Sequence, residues 1–396
     1  MNTTHPFSIA VVGRIAVSIA VAVPMALAGL EVAPPAHADE SPPALGSTVT
    51  VPLTGVETEP AVEAAAPHAG RTAVLTTERA TAAYSLLGVT WADPGAGARV
   101  AVHVRTRTAG VWSRWHELHA DGESLGRGRQ SEREGTEPFW AGGSDGVQVR
   151  VGVLIGDTPR DLRLELIDPG ASAVDHRPPT PPKPNPPSGP GRDVRGRAAR
   201  PAIVARKDWG ADESIRDKSF KYTSTIKAVF VHHTADGNDF ACADSAKVVR
   251  AIYRYHVVTN GWADIGYNFL VDKCGTIFEG RAGGVDKAVL GAHTLGFNTN
   301  STGVAALGTY TTTKPQAPVL TAIEKVIAWK LGLHGRNPRG KVTLTSSDSG
   351  SRYAKGSTHA FDVISGHRDA FNTECPGQAL YDKLPEIRAA VARSGG

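Results

Sequence analysis

Three short segments of this 396-residue chain carry side chains that could do chemistry together. Val231-His232-His233-Thr234 closes an apolar run, and Gly366-His367-Arg368-Asp369 follows Val363-Ile364. Asn372-Thr373-Glu374-Cys375-Pro376-Gly377 then places a thiol eight residues beyond His367. One histidine, a distant second histidine and a cysteine at strand ends or loops can offer two nitrogens and a thiolate to zinc. The fourth tetrahedral position would stay open for the water that a hydrolytic site needs. The chain has 14 histidines, so accidental triplets are common. A lone histidine often serves only a structural hydrogen bond, and spacing by itself leaves both readings open.

The elements that must position these residues lie between Pro201 and the C-terminus, where strand and helix patterns alternate. Ile226–Val231 is an apolar run of buried-strand length. Residues 243–257 place Ala246, Val249, Ile252, Tyr253 and His256 at helical spacing, so His256 reads as a structural residue on an apolar stripe. Tyr267–Val271 and Thr276–Glu279 flank a turn and read as a hairpin, and Thr302–Leu307 as a further strand. Pro318–Leu333 reads as a helix with proline at its start, and Leu384–Arg393 as a closing helix. The expected fold class is α/β, with a mixed central β-sheet flanked by helices over 201–396.

Residues 71–170 differ in kind. Runs such as Val100–Arg107, Gly146–Leu154 and Leu162–Ile167 alternate apolar and polar residues between Gly, Asp and Pro clusters. This predicts an all-β, sandwich-like domain. Its Trp91, Trp112, Trp115 and Trp140 either anchor core and loops or form a sugar-binding platform. Residues 39–70 read as a flexible lead-in, and the Pro- and Arg-rich stretch 171–200 as an extended spacer. The basic residues of that spacer either keep it solvated or contact an anionic cell-wall polymer.

Residues 1–38 have the layout of an export signal. Arg14 precedes an apolar run, Ile15–Leu30, and Ala36-His37-Ala38 offers small residues for a cut after Ala38. The run is shorter than the roughly 20 residues of a spanning helix, so no transmembrane segment is expected in the mature protein. The expected location is secreted, extracellular or in the cell wall, where disulfides persist. The formal net charge of +4 is unevenly spread, from −6 over 1–168 to +6 over 201–396, and all lysines lie at or beyond Lys183. No clustered basic footprint for nucleic acid is present.

Residues 201–396 resemble the peptidoglycan-recognition-protein and type 2 N-acetylmuramoyl-L-alanine amidase family. The motifs, in the family's order, are Val229–Thr234, Gly261–Phe269, Gly275–Arg281, Gly291-Ala292-His293, Gly366–Asp369 and Thr373–Gly377. The resemblance implies a zinc ion held by His232, His367 and Cys375, with cleavage of the amide joining the lactyl group of N-acetylmuramic acid to L-alanine. His233 competes with His232 for the metal, but adjacent strand residues point to opposite faces and only one can reach it. Tyr267 matches the family's catalytic tyrosine, and Thr373 a position directed at the scissile carbonyl. His293 would bind substrate or serve structure, while Arg368 and Asp369 brace the His367 loop. Cys242 and Cys274 remain as a disulfide pair. The implied partner is peptidoglycan, glycan strand with stem peptide, met by a monomer. The alternative is a peptidoglycan-binding or sensor protein without turnover, a role in which family members commonly lack the cysteine. Trp112–Trp115 and Gly135–Pro138 are similar to a module found upstream of amidases, which assigns no site to the β-domain.

Overall fold

The protein is described by a computed structural model covering residues 46–56, 70–92, 99–121, 133–176 and 198–395. The stretch 1–38, expected to direct export, and residues 177–197 of the expected spacer lie outside the described residues. Ten antiparallel strands form the first sheet: β1 (Ser47–Pro52), β2 (Arg71–Leu75), β3 (Arg79–Ala92), β4 (Arg99–Thr108), β5 (Val111–Trp112), β6 (His116–Leu118), β7 (Ala120–Asp121), β8 (Arg133–Thr136), β9 (Phe139–Ile155) and β10 (Arg160–Asp168). Its main path runs β1-β10-β3-β9-β4-β5. Period-2 alternation sends Val147, Val149 and Val151 of β9 and Leu162, Leu164 and Leu166 of β10 into one core. Trp91 and Trp140 are buried, whereas Trp112 and Trp115 lie against the Arg105 guanidinium at 5.1 and 5.4 Å. The lead-in expected over 39–70 contains a strand: β1 pairs with β10 from Ser47 to Pro52. Its alternation was hidden in an Ala/Pro-rich surrounding.

The second sheet is mixed, in the order β13-β12-β14-β11-β17. It is built from β11 (Ala228–His233), β12 (Phe269–Val271), β13 (Ile277–Glu279), β14 (Ser301–Ala306) and β17 (Ile364–Gly366). A separate pair, β15 (Lys341–Thr345) and β16 (Thr358–Asp362), lies alongside. Every residue of β11 and β14 is buried, as a strand covered on both faces requires. One face packs on α2 (Ala317–Leu333) and α4 (Leu384–Arg393), with a short α3 (Gln378–Tyr381) between them. The other packs on α1 (Ser245–Arg254), which runs into a single π turn, Tyr255–Thr259. Among the described residues no helix is long and apolar enough to cross a membrane.

The far side of α1 meets the β-domain. Leu86, Trp140 and Ile167 of the first sheet share one core with Val248, Ile252 and Tyr255. Tyr255 Oη donates to the Thr136 carbonyl at 2.8 Å, and the Trp140 N–H to the Asp236 carbonyl at 2.8 Å. Gly88 makes room for this contact, because a Cβ there would lie 2.7 Å from Tyr255 Oη. The start of the expected spacer is also fixed: Asp175, in the 3-10 turn Ala173–His176, forms a buried ion pair with Arg250 at 2.7 Å.

Candidate metal centre

Strand register brings the two histidines together. β11 and β17 run parallel with Val231 opposite Gly366, so His232 and His367 emerge side by side, each one residue past a paired position. Their ring centroids are 4.5 Å apart. The loop after His367 folds back to bring Cys375 Sγ within 3.7 Å of His232 Nδ1. That loop is braced by its own residues: Asp369 accepts the Gly366 N–H at 2.9 Å and the Tyr381 hydroxyl at 2.6 Å. The Arg368 N–H donates to the Cys375 carbonyl at 2.9 Å.

One ligand-capable atom each from His232, His367 and Cys375 lies within 4.8 Å of the others, and all three residues are buried. Donors around tetrahedral zinc sit about 3.3–3.6 Å apart at ordinary bond lengths. The His232–Cys375 separation is close to that, and two imidazoles with one thiol are a donor set zinc accepts. The site therefore fits a metal ion. Burial, with the neighbouring imidazoles, pushes His232 well below the ordinary histidine range, and burial foremost takes His233 and His293 down to about 3. Neutral imidazole is the form that ligates metal. The His233 N–H points at Cys375 Sγ at 3.4 Å, a contact that favours the thiolate.

Behind His232 lies a relay that the motifs alone did not reveal. His232 Nε2 is 3.4 Å from Thr294 Oγ1, which in turn is 2.9 Å from His293 Nδ1. This leaves His232 Nδ1 facing the thiol and holds the ring by its opposite edge. His293 is 1% exposed and sits behind His232. Its ring lies on Gly303, where a Cβ would come within 2.4 Å. Thr294 directly follows the Gly-Ala-His motif, and that adjacency was its one signal in the sequence.

Tyr267 is half-buried just before β12, with its ring 5.4 Å from His232 and 5.6 Å from His256. Its backbone carbonyl accepts the Arg281 N–H at 2.8 Å. Arg281 spends its guanidinium on the Ile265, Leu290 and Asp264 carbonyls, so it frames the tyrosine turn. His256 accepts the Gly266 N–H at 3.2 Å and is structural, as its place on the stripe predicted. Thr373 Oγ1 accepts the Cys375 N–H at 3.2 Å beside the thiol. Cys242 and Cys274 form a disulfide away from this corner, with Cα atoms 6.2 Å apart. Asp236, three residues past His233, was not anticipated: it is fully buried, accepts from Thr234 Oγ1 and the Gly308 N–H, and is pushed up to about 6 by burial.

A buried corner of two imidazoles and a thiol, at the carboxyl ends of parallel strands in a mixed sheet, is a place where a metal ion could be held with one position left open. Residues 222–378 match the family model described as Amidase_2, N-acetylmuramoyl-L-alanine amidase, and residues 37–186 match one described as Rv3811 N-terminal galactose-binding domain-like. Peptidoglycan-recognition protein SC2 of Drosophila simulans is 30% identical over 182 residues, which span 46% of this chain and 84% of the relative. A human N-acetylmuramoyl-L-alanine amidase is 33% identical over 199 residues, 48% of this chain and 30% of the relative. The solved structure of Drosophila PGRP-LB aligns at 27% identity and a TM-score of 0.37, over 46% of this chain and 91% of that one. The chain belongs to the peptidoglycan-recognition-protein family, on the type 2 amidase side that its C-terminal domain matches.

Proposed function

We propose that this protein is an exported, zinc-dependent N-acetylmuramoyl-L-alanine amidase. Its substrate would be peptidoglycan, cut at the amide between the lactyl group of N-acetylmuramic acid and the L-alanine of the stem peptide. The observation that carries this reading is the convergence of His232, His367 and Cys375 with Tyr267 and Thr373 close by. His232, His367 and Cys375 would hold the zinc ion, which would supply Lewis acidity for the carbonyl and for the attacking water. Tyr267 donates its hydroxyl to the oxygen on which negative charge develops, a role suited to a half-buried donor beside the metal corner. Thr373 stands next to the Cys375 thiol and orients the carbonyl. Thr294 and His293 keep His232 turned toward the site. The basic excess of the C-terminal half suits an anionic cell wall as surroundings.

The test incubates the purified mature protein with peptidoglycan, with and without a chelator. New L-alanine amino termini are expected, lost with the chelator and restored by zinc. Cys375→Ser should lower both bound zinc and turnover. Binding to the wall without new amino termini would instead make the protein a recognition module.

A further inference from the structure

Cleaving an amide at neutral pH requires a proton for the nitrogen that leaves, and the roles assigned so far supply none. Tyr267 is committed to the oxygen, and threonine is not among the side chains that transfer protons in this way. A groove of about 500 Å³ brings in one that is. It is lined by His233, Thr373 and Cys375 of the amidase domain together with Leu118 and His119 of the β-domain. We propose that His119 is the general acid of the site, so that the β-domain supplies the group that protonates the departing L-alanine amine. This deepens the amidase reading and rests on it.

The backbone holds His119 in place. Its carbonyl accepts the Glu137 N–H at 2.9 Å, and the next residue, Ala120, pairs with Thr136. The Thr136 carbonyl in turn accepts the Tyr255 hydroxyl at 2.8 Å. Further along the same β-domain segment, the Trp140 N–H donates to the carbonyl of Asp236, four residues past His232. The β-domain therefore grips both the end of α1 and the loop that leaves β11. No linker has to swing to bring His119 to the groove.

Access singles out His119 among the nearby imidazoles. Of the two histidines that line the groove, His233 is 4% exposed and its Nδ1 accepts the Tyr310 N–H at 3.2 Å, whereas His119 is exposed. His293 lies behind His232, and His256 accepts the Gly266 N–H. His119 is also close: after burial and His367, its charge is the next cause that holds His233 down. An imidazole can give a proton and regain it at neutral pH, as a general acid must in every turnover. Protonated His119 gives its proton to the amide nitrogen as the C–N bond breaks, and the electron pair of that bond stays on nitrogen. The oxygen of the attacking water remains on the carbonyl carbon. One proton of that water returns to His119 and the other ends on the amine. The products are a lactyl carboxylate and the ammonium of L-alanine.

The experiment gives the zinc-loaded mature chain two substrates. One is a muramoyl peptide, and the other is the ester in which L-lactate replaces its L-alanine. An alkoxide leaves with far less help from a proton than an amide nitrogen does. His119→Gln should lower kcat on the amide by about 100-fold, the lower end of what such proton transfer contributes, and on the ester by less than about threefold. Bound zinc should not change. The amide-to-ester ratio is read within one preparation, so it does not depend on how much of the variant folds. Equal losses on the two substrates, a loss confined to KM, or an unchanged amide rate would overturn the role of His119 and leave the amidase reading standing. If the wild type cleaves neither substrate, the amidase reading itself fails and this role falls with it.

Discussion

Helices α1 and α4 are both ten residues long, and they bury themselves in different ways. In α4 the buried residues are Leu384, Ile387 and Val391, one stripe facing the sheet. In α1 Ser245, Val248, Val249, Arg250, Ala251, Ile252 and Tyr253 are all buried, which no single stripe accounts for. The reason is the second surface. α1 lies between the central sheet and the β-domain, whereas the outer face of α4 meets water. A helix buried on two sides is how a domain boundary is converted into a shared core, and here it also fixes the β-domain beside the metal corner.

The sharpest way to break this comparison is to remove Arg250. Its ion pair with Asp175 has side chains 5% and 6% exposed, and a second guanidinium nitrogen donates to the Trp209 carbonyl. Arg250→Ala leaves a buried carboxylate alone and should cost about 3–5 kcal/mol. Urea denaturation of the two-domain chain measures it. The double variant Asp175→Ala/Arg250→Ala should recover part of the loss. A cost under about 0.5 kcal/mol, the level of an ordinary surface change, would mean that the outer face of α1 is solvated.

The covalent tie at the start of α1 comes next. Cys242 precedes the helix and Cys274 sits in the hairpin turn, 32 residues apart. Cys242→Ala/Cys274→Ala should cost about 3–4 kcal/mol by the loop-entropy estimate. The thermal midpoint, with Cys375 intact, reports it. Reducing agent should shift the wild type toward the variant and leave the variant unchanged.

How much of this was legible follows the same divide. The sheet of the C-terminal domain could be read because its strands are continuous apolar runs, and the convergence of His232, His367 and Cys375 because six ordered motifs pointed to those residues. The stripe expected on α1 included Val249, Ile252, Tyr253 and His256, all buried, and Ala246, which is only half-buried. What periodicity could not show was Val248 and Arg250, whose burial depends on a partner surface more than 70 residues away in the chain. An arginine on a helix reads as solvent-facing until its carboxylate is found. Thr294 escaped for a related reason. Its place behind His232 comes from contacts distant in sequence, which leave no pattern along the chain.

Gly88 tests the interface from the other side. Gly88→Ala drives a methyl to 2.7 Å from Tyr255 Oη and should cost about 1–3 kcal/mol as overpacking. Tyr255→Ala removes the ring, whose Cε2 and Cζ would lie 2.8 and 2.9 Å from that methyl, along with the bond to Thr136. The two changes together should therefore cost less than their sum, a coupling that a double-mutant cycle reads directly. Strict additivity would place the two residues out of contact.

His256, in the π turn that ends α1, gives a pH-dependent test. Burial holds it neutral, with its pKa taken down to about 3. The unfolded chain protonates it near its ordinary value, so its stability contribution is present above that value and lost as pH falls below it, by up to about 1.4 kcal/mol per pH unit. His256→Asn keeps an acceptor for the Gly266 N–H and removes the titration. The variant's stability should fall less steeply than the wild type's between pH 6.5 and 5, at the rate set by this one group. Parallel curves would show that His256 is already protonated or solvated in the folded protein.

The smallest effect belongs to α4, and it completes the comparison. Arg388 pairs with Asp362 at 3.0 Å and donates to the Ile364 carbonyl at 2.8 Å, but its side chain is 21% exposed and that of Asp362 33%. Water can replace both partners. Arg388→Ala should therefore cost about 1 kcal/mol or less, and added salt should shrink the difference further. The same urea titration that registers Arg250→Ala would measure it. The contrast requires the two arginine-to-alanine costs to differ by several fold. If Arg388→Ala proved as damaging as Arg250→Ala, burial by a second domain would not be what distinguishes the two helices, and the loss would have to lie in the Ile364 carbonyl at the start of β17, three residues before His367.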